Sequence, residues 1–243
     1  MRILSTVAIG AAAFALSSCT SGSGNPTVTA TTSERPIVKG ATFTATVDNP
    51  WFPLKPGAKW VYAGTESGDR TRDVVFVTDR TKTIAGVQCV VVSDNVYTNG
   101  TLSETTHDYY AQDQRGNVWY FGEDTAELNK HGHVTSREGT WLAGSHGARP
   151  GIVMQSHPKV GASYAQEHYA GHAEDHARIV ATGARISTRA VTSSQVLVTV
   201  EWTPLEPKVR EHKYYVRGYG QVKEDVFRGG HETSSLISYT AGG

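Results

Sequence analysis

Short runs of β-branched and aromatic residues, set in an apolar-polar alternation of period two, most restrict what this 243-residue chain can form. From about Gly40 onward these runs include Val74–Val77, Val90–Val92 and Val196–Val200. Residues of these types favour strands. Turn signals separate the runs, and Asn99-Gly100 is the strongest signal for a two-residue hairpin. The pattern predicts an all-β fold of antiparallel, curved sheets, either half-barrel or sandwich-like.

The chain also repeats itself at an offset of about 105 residues. Residues 105–111 (Thr-Thr-His-Asp-Tyr-Tyr-Ala) match residues 210–216 (Arg-Glu-His-Lys-Tyr-Tyr-Val), which makes His107 equivalent to His212. Two further pairs of stretches match at nearly the same offset: Lys55–Trp60 with Lys159–Tyr164, and Gly116–Val118 with Gly220–Val222. We therefore predict two similar units, at about 50–125 and 155–228, inside a single β-rich domain at 39–243.

Charge and cysteine content exclude some classes of protein. Lysine and arginine together number 23, as do aspartate and glutamate, so the charge balance gives no electrostatic signal for nucleic-acid binding. There are two cysteines. Cys89 lies in an apolar run and is predicted to be a buried free thiol. If Cys19 is modified, no internal disulfide can form and the domain must depend on its core.

The first residues have the pattern of an export signal. Met1-Arg2 is basic, residues 3–16 are apolar, and that run is shorter than a membrane-spanning helix requires. The sequence Leu16-Ser17-Ser18-Cys19 resembles the lipobox of bacterial lipoproteins. The resemblance implies cleavage of a signal peptide at 1–18 and attachment of lipid, including palmitate, to Cys19. Residues 19–38 are rich in Ser, Thr and Gly and predict a flexible tether. Export and the lipid on Cys19 would together place the domain on the extracytoplasmic side of a cell membrane or outer membrane.

A second resemblance covers most of the predicted domain. The opening Asn49-Pro50-Trp51-Phe52-Pro53-Leu54-Lys55-Pro56-Gly57, followed by Trp60 and Tyr62, is similar to a group of uncharacterised bacterial exported proteins. The stretches 110–113, 117–124 and 150–154 share this similarity. The group has no established activity, so the resemblance implies an exported protein without naming its chemistry. The second unit, through Tyr215, Gly218 and residues 220–222, is also similar to curved half-barrel envelope proteins.

Three histidines suggest a metal site as one alternative. His168, His172 and His176 are spaced by four residues, which keeps them on one face of either a helix or a strand. On a helix, neighbours would lie about 6 Å apart and could share an ion. On a strand they would lie about 13 Å apart and could not. The β-rich context favours the second case, in which these histidines are ordinary polar residues.

Carboxylates in the same segment suggest an enzyme as another alternative. Glu167, Glu174 and Asp175 lie near Tyr164 and Tyr169, and such a group could supply a general acid and base or a sugar site. The same residues could equally be surface groups beside a turn.

Aromatic pairs give the candidates for ligand binding. Trp51, Phe52, Trp119 and Tyr120 could either pack in the core or line a pocket.

The sequence contains no His-Glu-x-x-His, Walker or Cys-x-x-Cys motif, so we predict no cofactor. The leading hypothesis is a protein that binds an apolar or lipid-like envelope component, or serves as a scaffold, without catalysis. The alternatives are a hydrolase or carbohydrate-active protein, and metal binding.

Overall fold

A computed structural model describes residues 37–243, which form strands joined by turns and loops. Within that range there is no helix, and so none long and apolar enough to span a membrane. The signal peptide, Cys19 and nearly all of the tether lie outside the described residues. Every strand pair is antiparallel, which confirms the predicted all-β class. The strands are β1 (Phe43–Thr44), β2 (Lys59–Glu66), β3 (Asp69–Ile84), β4 (Val87–Thr98), β5 (Thr101–Asp113), β6 (Val118–Leu128), β7 (Val134–Ser136), β8 (Trp141–Leu142), β9 (Arg149–Met154), β10 (Ser163–Ala165), β11 (Glu167–His168), β12 (His176–Ser187), β13 (Thr192–Trp202), β14 (Arg210–Val216), β15 (Gly220–Arg228) and β16 (Thr233–Thr240).

A single sheet curls until its two ends meet. The strands follow the order β10-β12-β13-β14-β15-β16-β2-β3-β4-β5-β6-β9-β11. The terminal strands β10 and β11 are separated in the chain by one residue, Gln166, so residues 163–168 bridge the two ends of the sheet. The curl is therefore nearly a closed barrel, with one face of the sheet turned inward.

Glycine lets two backbones meet where the bridge packs against β9. A Cβ atom added to Gly151 would lie 2.4 Å from the carbonyl carbon of Gln166. Real Cβ atoms do not approach backbone atoms so closely, so the seam requires glycine at this position.

The predicted hairpin forms at Asn99-Gly100, which joins β4 to β5. Asn99 has φ of 52° and Gly100 has φ of 88°. Two positive φ angles are those of a type I′ turn, whose twist suits a two-residue hairpin. This turn fixes the register in which Thr98 pairs with Thr101, and hence which side chains of both strands face inward.

The two predicted units contain ladders with matching register. His107 on β5 pairs with Asp124 on β6, and His212 on β14 pairs with Asp225 on β15. Both ladders also carry a β-bulge at the paired tyrosines, Tyr109-Tyr110 in one and Tyr214-Tyr215 in the other. The matching supports the repeat inferred from the sequence, although the duplication itself stays a prediction.

Four buried aromatic side chains pack against one another at the first unit. The Tyr110 and Tyr120 rings stack with centroids 4.9 Å apart, and the rings of Phe52 and Trp141 contact this pair edge-on. Cys89 is a fully buried free thiol, as predicted, and burial raises its pKa to about 12.

Candidate functional site

The structure separates the three carboxylates nominated from the sequence. Glu167 and Asp175 are buried, at 4% and 5% exposure, and burial raises the pKa of each, to about 7 for Asp175. The charge on Asp175 further raises the pKa of Glu167, so the two groups lie within electrostatic reach. Glu174 instead accepts a 2.9 Å hydrogen bond from the backbone N–H of Gly171 in the turn before β12. Two of the three candidates therefore belong together and the third stabilises a turn.

Glu167 and Asp175 are part of a larger group of buried carboxylates, which we call the acidic belt. Asp108 pairs with Glu123 across β5 and β6, and Glu201 pairs with Glu211 across β13 and β14. The acidic belt comprises eight residues, each at most 8% exposed: Asp94, Glu104, Asp108, Glu123, Glu167, Asp175, Glu201 and Glu211.

Burial and mutual repulsion together act on the acidic belt. Burial raises the pKa of Asp108 to about 7, and the charges on Asp94 and Glu104 add to the effect. Burial also raises the pKa of Glu123 well above its ordinary value, with Asp108 and Glu104 contributing. Charged forms are disfavoured in an apolar medium and beside like charges, so part of the belt holds protons near neutral pH.

Lys213 is the only lysine or arginine buried among residues 37–243. Its Nζ atom lies 3.0 Å from Glu201 Oε2, 3.1 Å from Glu211 Oε1 and 3.9 Å from Glu224 Oε2. Burial alone would lower the pKa of Lys213, but Glu201 and Glu211 raise it well above its ordinary value. The single ammonium group of Lys213 therefore faces three glutamates, which lie on β13, β14 and β15.

Hydroxyl and amide groups donate hydrogen bonds to some of the buried carboxylates. Tyr120 donates a 2.7 Å hydrogen bond to Asp108 Oδ1, and Gln166 donates a 3.1 Å hydrogen bond to Glu201 Oε2. Buried polar atoms that have no hydrogen-bond partner among the described residues include Asp108 Oδ2, Tyr110 OH, Gln166 Oε1 and Gln221 Oε1. Such orphans are rare in native interiors, and each requires an explanation.

A cavity of about 250 Å³ opens at one end of the curled sheet, and we call it the mouth cavity. It lies where β2 and β4 end and where β3, β14 and β16 begin, because antiparallel strands bring these ends to one edge. Its lining includes six carboxylates: Glu66, Asp73, Glu206, Glu211, Glu224 and Glu232.

The four aromatic candidates lie mainly in the core. Trp51, Phe52 and Tyr120 are buried, at 7%, 5% and 1% exposure, and half-buried Trp119 donates a hydrogen bond to Asp113. Phe52 lines an apolar pocket beside Trp60 and Tyr110, but that pocket holds only about 30 Å³. This volume admits a water molecule or two and no hydrocarbon chain.

The three histidines do not form a common face. His168 lies on β11, His172 stacks on Tyr169 in the following turn, and His176 begins β12 and stacks on Trp202. Among residues 37–243, no three His, Cys, Asp or Glu side chains are arranged to hold a metal ion. The chain turns between the three positions, so neither the helical nor the single-strand arrangement considered from the sequence applies.

The acidic belt and the mouth cavity were missed by sequence reasoning. One signal was present, since Glu104, Thr106 and Asp108 recur with period two on the same face of β5 as Tyr110. A polar face on an antiparallel strand ordinarily faces water, and only the closure of the sheet turns this one inward.

Comparisons with known proteins give fold likeness only. Neither a protein-family model nor a curated protein sequence matches the chain. A solved structure from Bacteroides fragilis, described as an exported protein with a YmcC-like fold, is 13% identical with a TM-score of 0.47, covering 79% of this chain and 99% of its own. Another from Parabacteroides distasonis, described as a lipoprotein, is 12% identical with a TM-score of 0.41, covering 78% of this chain and 98% of its own. At these values neither carries an argument about function.

Proposed function

We propose that this chain is a lipid-anchored, extracytoplasmic binding protein that takes a polar ligand into the mouth cavity. The anchor rests on the lipobox-like sequence ending at Cys19. The binding role rests on one observation: the mouth cavity is lined by the buried side chains of Glu211 and Gln221, and the Oε1 atom of Gln221 has no hydrogen-bond partner among the described residues. Pockets with a few convergent polar groups are the usual sites of ligand binding.

The character of the cavity favours a polar ligand over the lipid-like ligand expected from the sequence. The pocket beside Phe52 is too small for an acyl chain, at about 30 Å³. The mouth cavity is larger, but six of its lining residues carry carboxylates. Apolar groups gain little by leaving water for such a lining.

Binding is also favoured over hydrolysis. Glycoside hydrolysis requires two carboxylates on either side of one scissile bond, in a cleft that admits the sugar. Glu167 and Asp175 interact with each other, but neither lines the mouth cavity. A substrate in that cavity would therefore not lie between them.

Native mass spectrometry of the protein purified from its own membrane tests this proposal. We expect a small polar molecule to co-purify at a 1:1 ratio and to leave on collisional activation. The variant Asp73→Asn should lose the ligand, while Asp79→Asn, an exposed aspartate on the same strand that does not line the mouth cavity, should keep it. A co-purifying lipid, or a ligand retained equally by both variants, would contradict the proposal.

A further inference from the structure

The turns of the curled sheet are divided between two ends, because antiparallel strands joined by hairpins place successive turns at alternate ends. The mouth end contains the mouth cavity and the four turns that join β2 to β3, β4 to β5, β13 to β14 and β15 to β16. We call the opposite end the tether end. It consists of residues 37–58 and the turns at 85–86, 114–117, 188–191 and 217–219.

The segment before β2 packs across the tether end. The backbone N–H of Gly218 donates a 2.7 Å hydrogen bond to the carbonyl oxygen of Pro50. The Asn49 Nδ2 group donates a 2.8 Å hydrogen bond to the carbonyl oxygen of Gly116. These bonds hold residues 37–58 against two turns that lie far from them in the sequence.

The chain also enters the domain at the tether end. A Cβ atom built at Gly144 would lie 3.7 Å from Cδ1 of Ile37 and 3.0 Å from Cβ of Ala85, so Ile37 lies beside the turn at 85–86. Residues 20–36 connect Ile37 to Cys19 and can span at most about 60 Å. A lipid on Cys19 would therefore keep this end near a bilayer, but that reach does not by itself bring the two into contact.

The charged side chains of the tether end are mainly basic. Its connections contain five exposed basic residues: Lys39, Lys55, Arg115, Arg189 and Arg217. Asp48 is the one acidic residue in these connections, and its Oδ1 atom accepts a 2.6 Å hydrogen bond from Gln112. None of the five basic side chains forms an ion pair with another residue of 37–243. Their charges are therefore available to a partner outside the domain.

The two ends differ in charge and in what they expose. The four turns of the mouth end contain one basic residue, Lys208, and two acidic residues, Glu206 and Glu232. The large hydrophobic side chains that are exposed between residues 37 and 243 all lie outside the connections of the tether end. Proteins that insert into a bilayer use such side chains, whereas a basic surface without them is attracted to anionic headgroups.

We propose that the tether end lies on the anionic headgroups of the bilayer that holds Cys19, so that the mouth cavity opens away from the membrane. This inference rests on the lipid anchor of the proposed function and adds a partner and an orientation. Clusters of Lys and Arg next to a membrane anchor are attracted to anionic lipid. A short connection returns the same end to the surface repeatedly, so a modest attraction is sufficient. A polar ligand then enters the mouth cavity from the aqueous side.

Energy transfer from the domain to the bilayer tests this orientation. The full lipidated chain is reconstituted in vesicles of phosphatidylcholine and phosphatidylglycerol, in a ratio of about 2:1, with an acceptor dye on the headgroups. A donor dye is attached at an exposed position of either end, through Gln114→Cys at the tether end or Thr101→Cys at the mouth end. Cys89 is fully buried and does not take the dye. We expect stronger transfer from the tether end, with the difference reduced in pure phosphatidylcholine and at high salt.

Two triple variants test whether the basic residues produce the orientation. One removes three charges from the tether end: Lys39→Gln, Arg115→Gln and Arg189→Gln. The matched control removes three charges from exposed residues elsewhere: Arg70→Gln, Lys130→Gln and Lys208→Gln. Each basic side chain near an anionic surface contributes about fivefold, so the first variant should lower the ratio of docked to undocked molecules about a hundredfold. The control should resemble the parent, and thermal unfolding shows whether each variant is folded.

The outcomes separate this inference from the function on which it rests. Equal transfer from the two ends, no effect of phosphatidylglycerol, or equal losses in the two triple variants would overturn the orientation while the anchor stands. If the parent does not stay on vesicles and native mass spectrometry finds no lipid attached to it, the anchor is wrong and the orientation fails with it. Ligand binding in the mouth cavity is tested separately, through Asp73→Asn.

Discussion

The Nζ atom of Lys213 lies 3.0 Å from Glu201 Oε2, and both side chains are almost completely buried, at 1% and 2% exposure. The pair crosses from β14 to β13 inside the curled sheet. Glu211 Oε1, at 3.1 Å from the same nitrogen, makes the pair a buried triad. Removing the cation would leave two carboxylates buried without it, which is far more costly than breaking a pair on the surface.

We therefore expect Lys213→Met to lower the free energy of unfolding by about 3–5 kcal/mol. Urea denaturation of the parent and the variant measures the difference. Lys223→Met is the matched control, because Lys223 makes a 2.8 Å ion pair with Asp225 but is one-third exposed. That change should cost about 1 kcal/mol or less. Equal losses in the two variants would show that the buried triad has no special role in stability.

The acidic belt predicts that the protein is less stable at alkaline than at mildly acidic pH. Burial, aided by Asp94 and Glu104, raises the pKa of Asp108 to about 7, and the hydrogen bond from Tyr120 only partly opposes this. Because the folded-state pKa exceeds the ordinary value of 3.8, the folded chain binds more protons than the unfolded chain between these two values. Stability then falls as pH rises through this window and is lowest above pH 7. Asp175, whose pKa is also about 7, has the same sign.

Thermal unfolding between pH 5 and pH 8 measures this effect, with each kcal/mol lost lowering the melting temperature by about 2–4 °C. Asp108→Asn should reduce the slope and raise the melting temperature at pH 8, since asparagine keeps an oxygen that can accept from Tyr120. Asp124→Asn, at a half-exposed carboxylate on β6, should leave the slope unchanged. A melting temperature that rises from pH 5 to pH 8 would refute a protonated belt.

The seam of the curl should be sensitive to a single methyl group. Gly151→Ala places a Cβ atom 2.4 Å from the Gln166 backbone, so the bridge at 163–168 must move away from β9. We expect a loss of about 1–3 kcal/mol in the free energy of unfolding and faster hydrogen exchange at the amides of the bridge. Gly243→Ala is the control, because a Cβ atom there would contact nothing within 4 Å. Unchanged exchange at the bridge would mean that the seam tolerates the movement.

The strands were predictable from the sequence because their signals are local. The β-branched run Val90–Val92 and the turn Asn99-Gly100 determine β4, its hairpin and its register without reference to the rest of the chain. The inward face was not predictable, since Asp108 points inside only because residues 163–168 join two distant edges of the sheet. Such closure depends on contacts far apart in sequence.

Two of the three carboxylates that the sequence nominated belong to the acidic belt, and the third does not. Glu167 and Asp175 were nominated because ionisable residues are dense in that segment, and both face the interior. Glu174 was nominated by the same density, but its side chain is held by Gly171 in a turn. Glu211 and Glu224 lie outside that segment, and spacing within one stretch of sequence could not connect them to it.

The lipobox-like sequence makes a prediction about Cys19 that can be tested apart from the fold. Replacing Cys19 with Ser removes the thiol to which lipid would be attached, so the protein should move from the membrane fraction to the soluble fraction and lose incorporation of labelled palmitate. Cys89→Ser is the matched control, because Cys89 is fully buried and burial raises its pKa to about 12, which leaves the thiol unreactive. That variant should remain membrane-bound and labelled. Persistent label in Cys19→Ser, or its absence from the parent, would show that Cys19 carries no lipid.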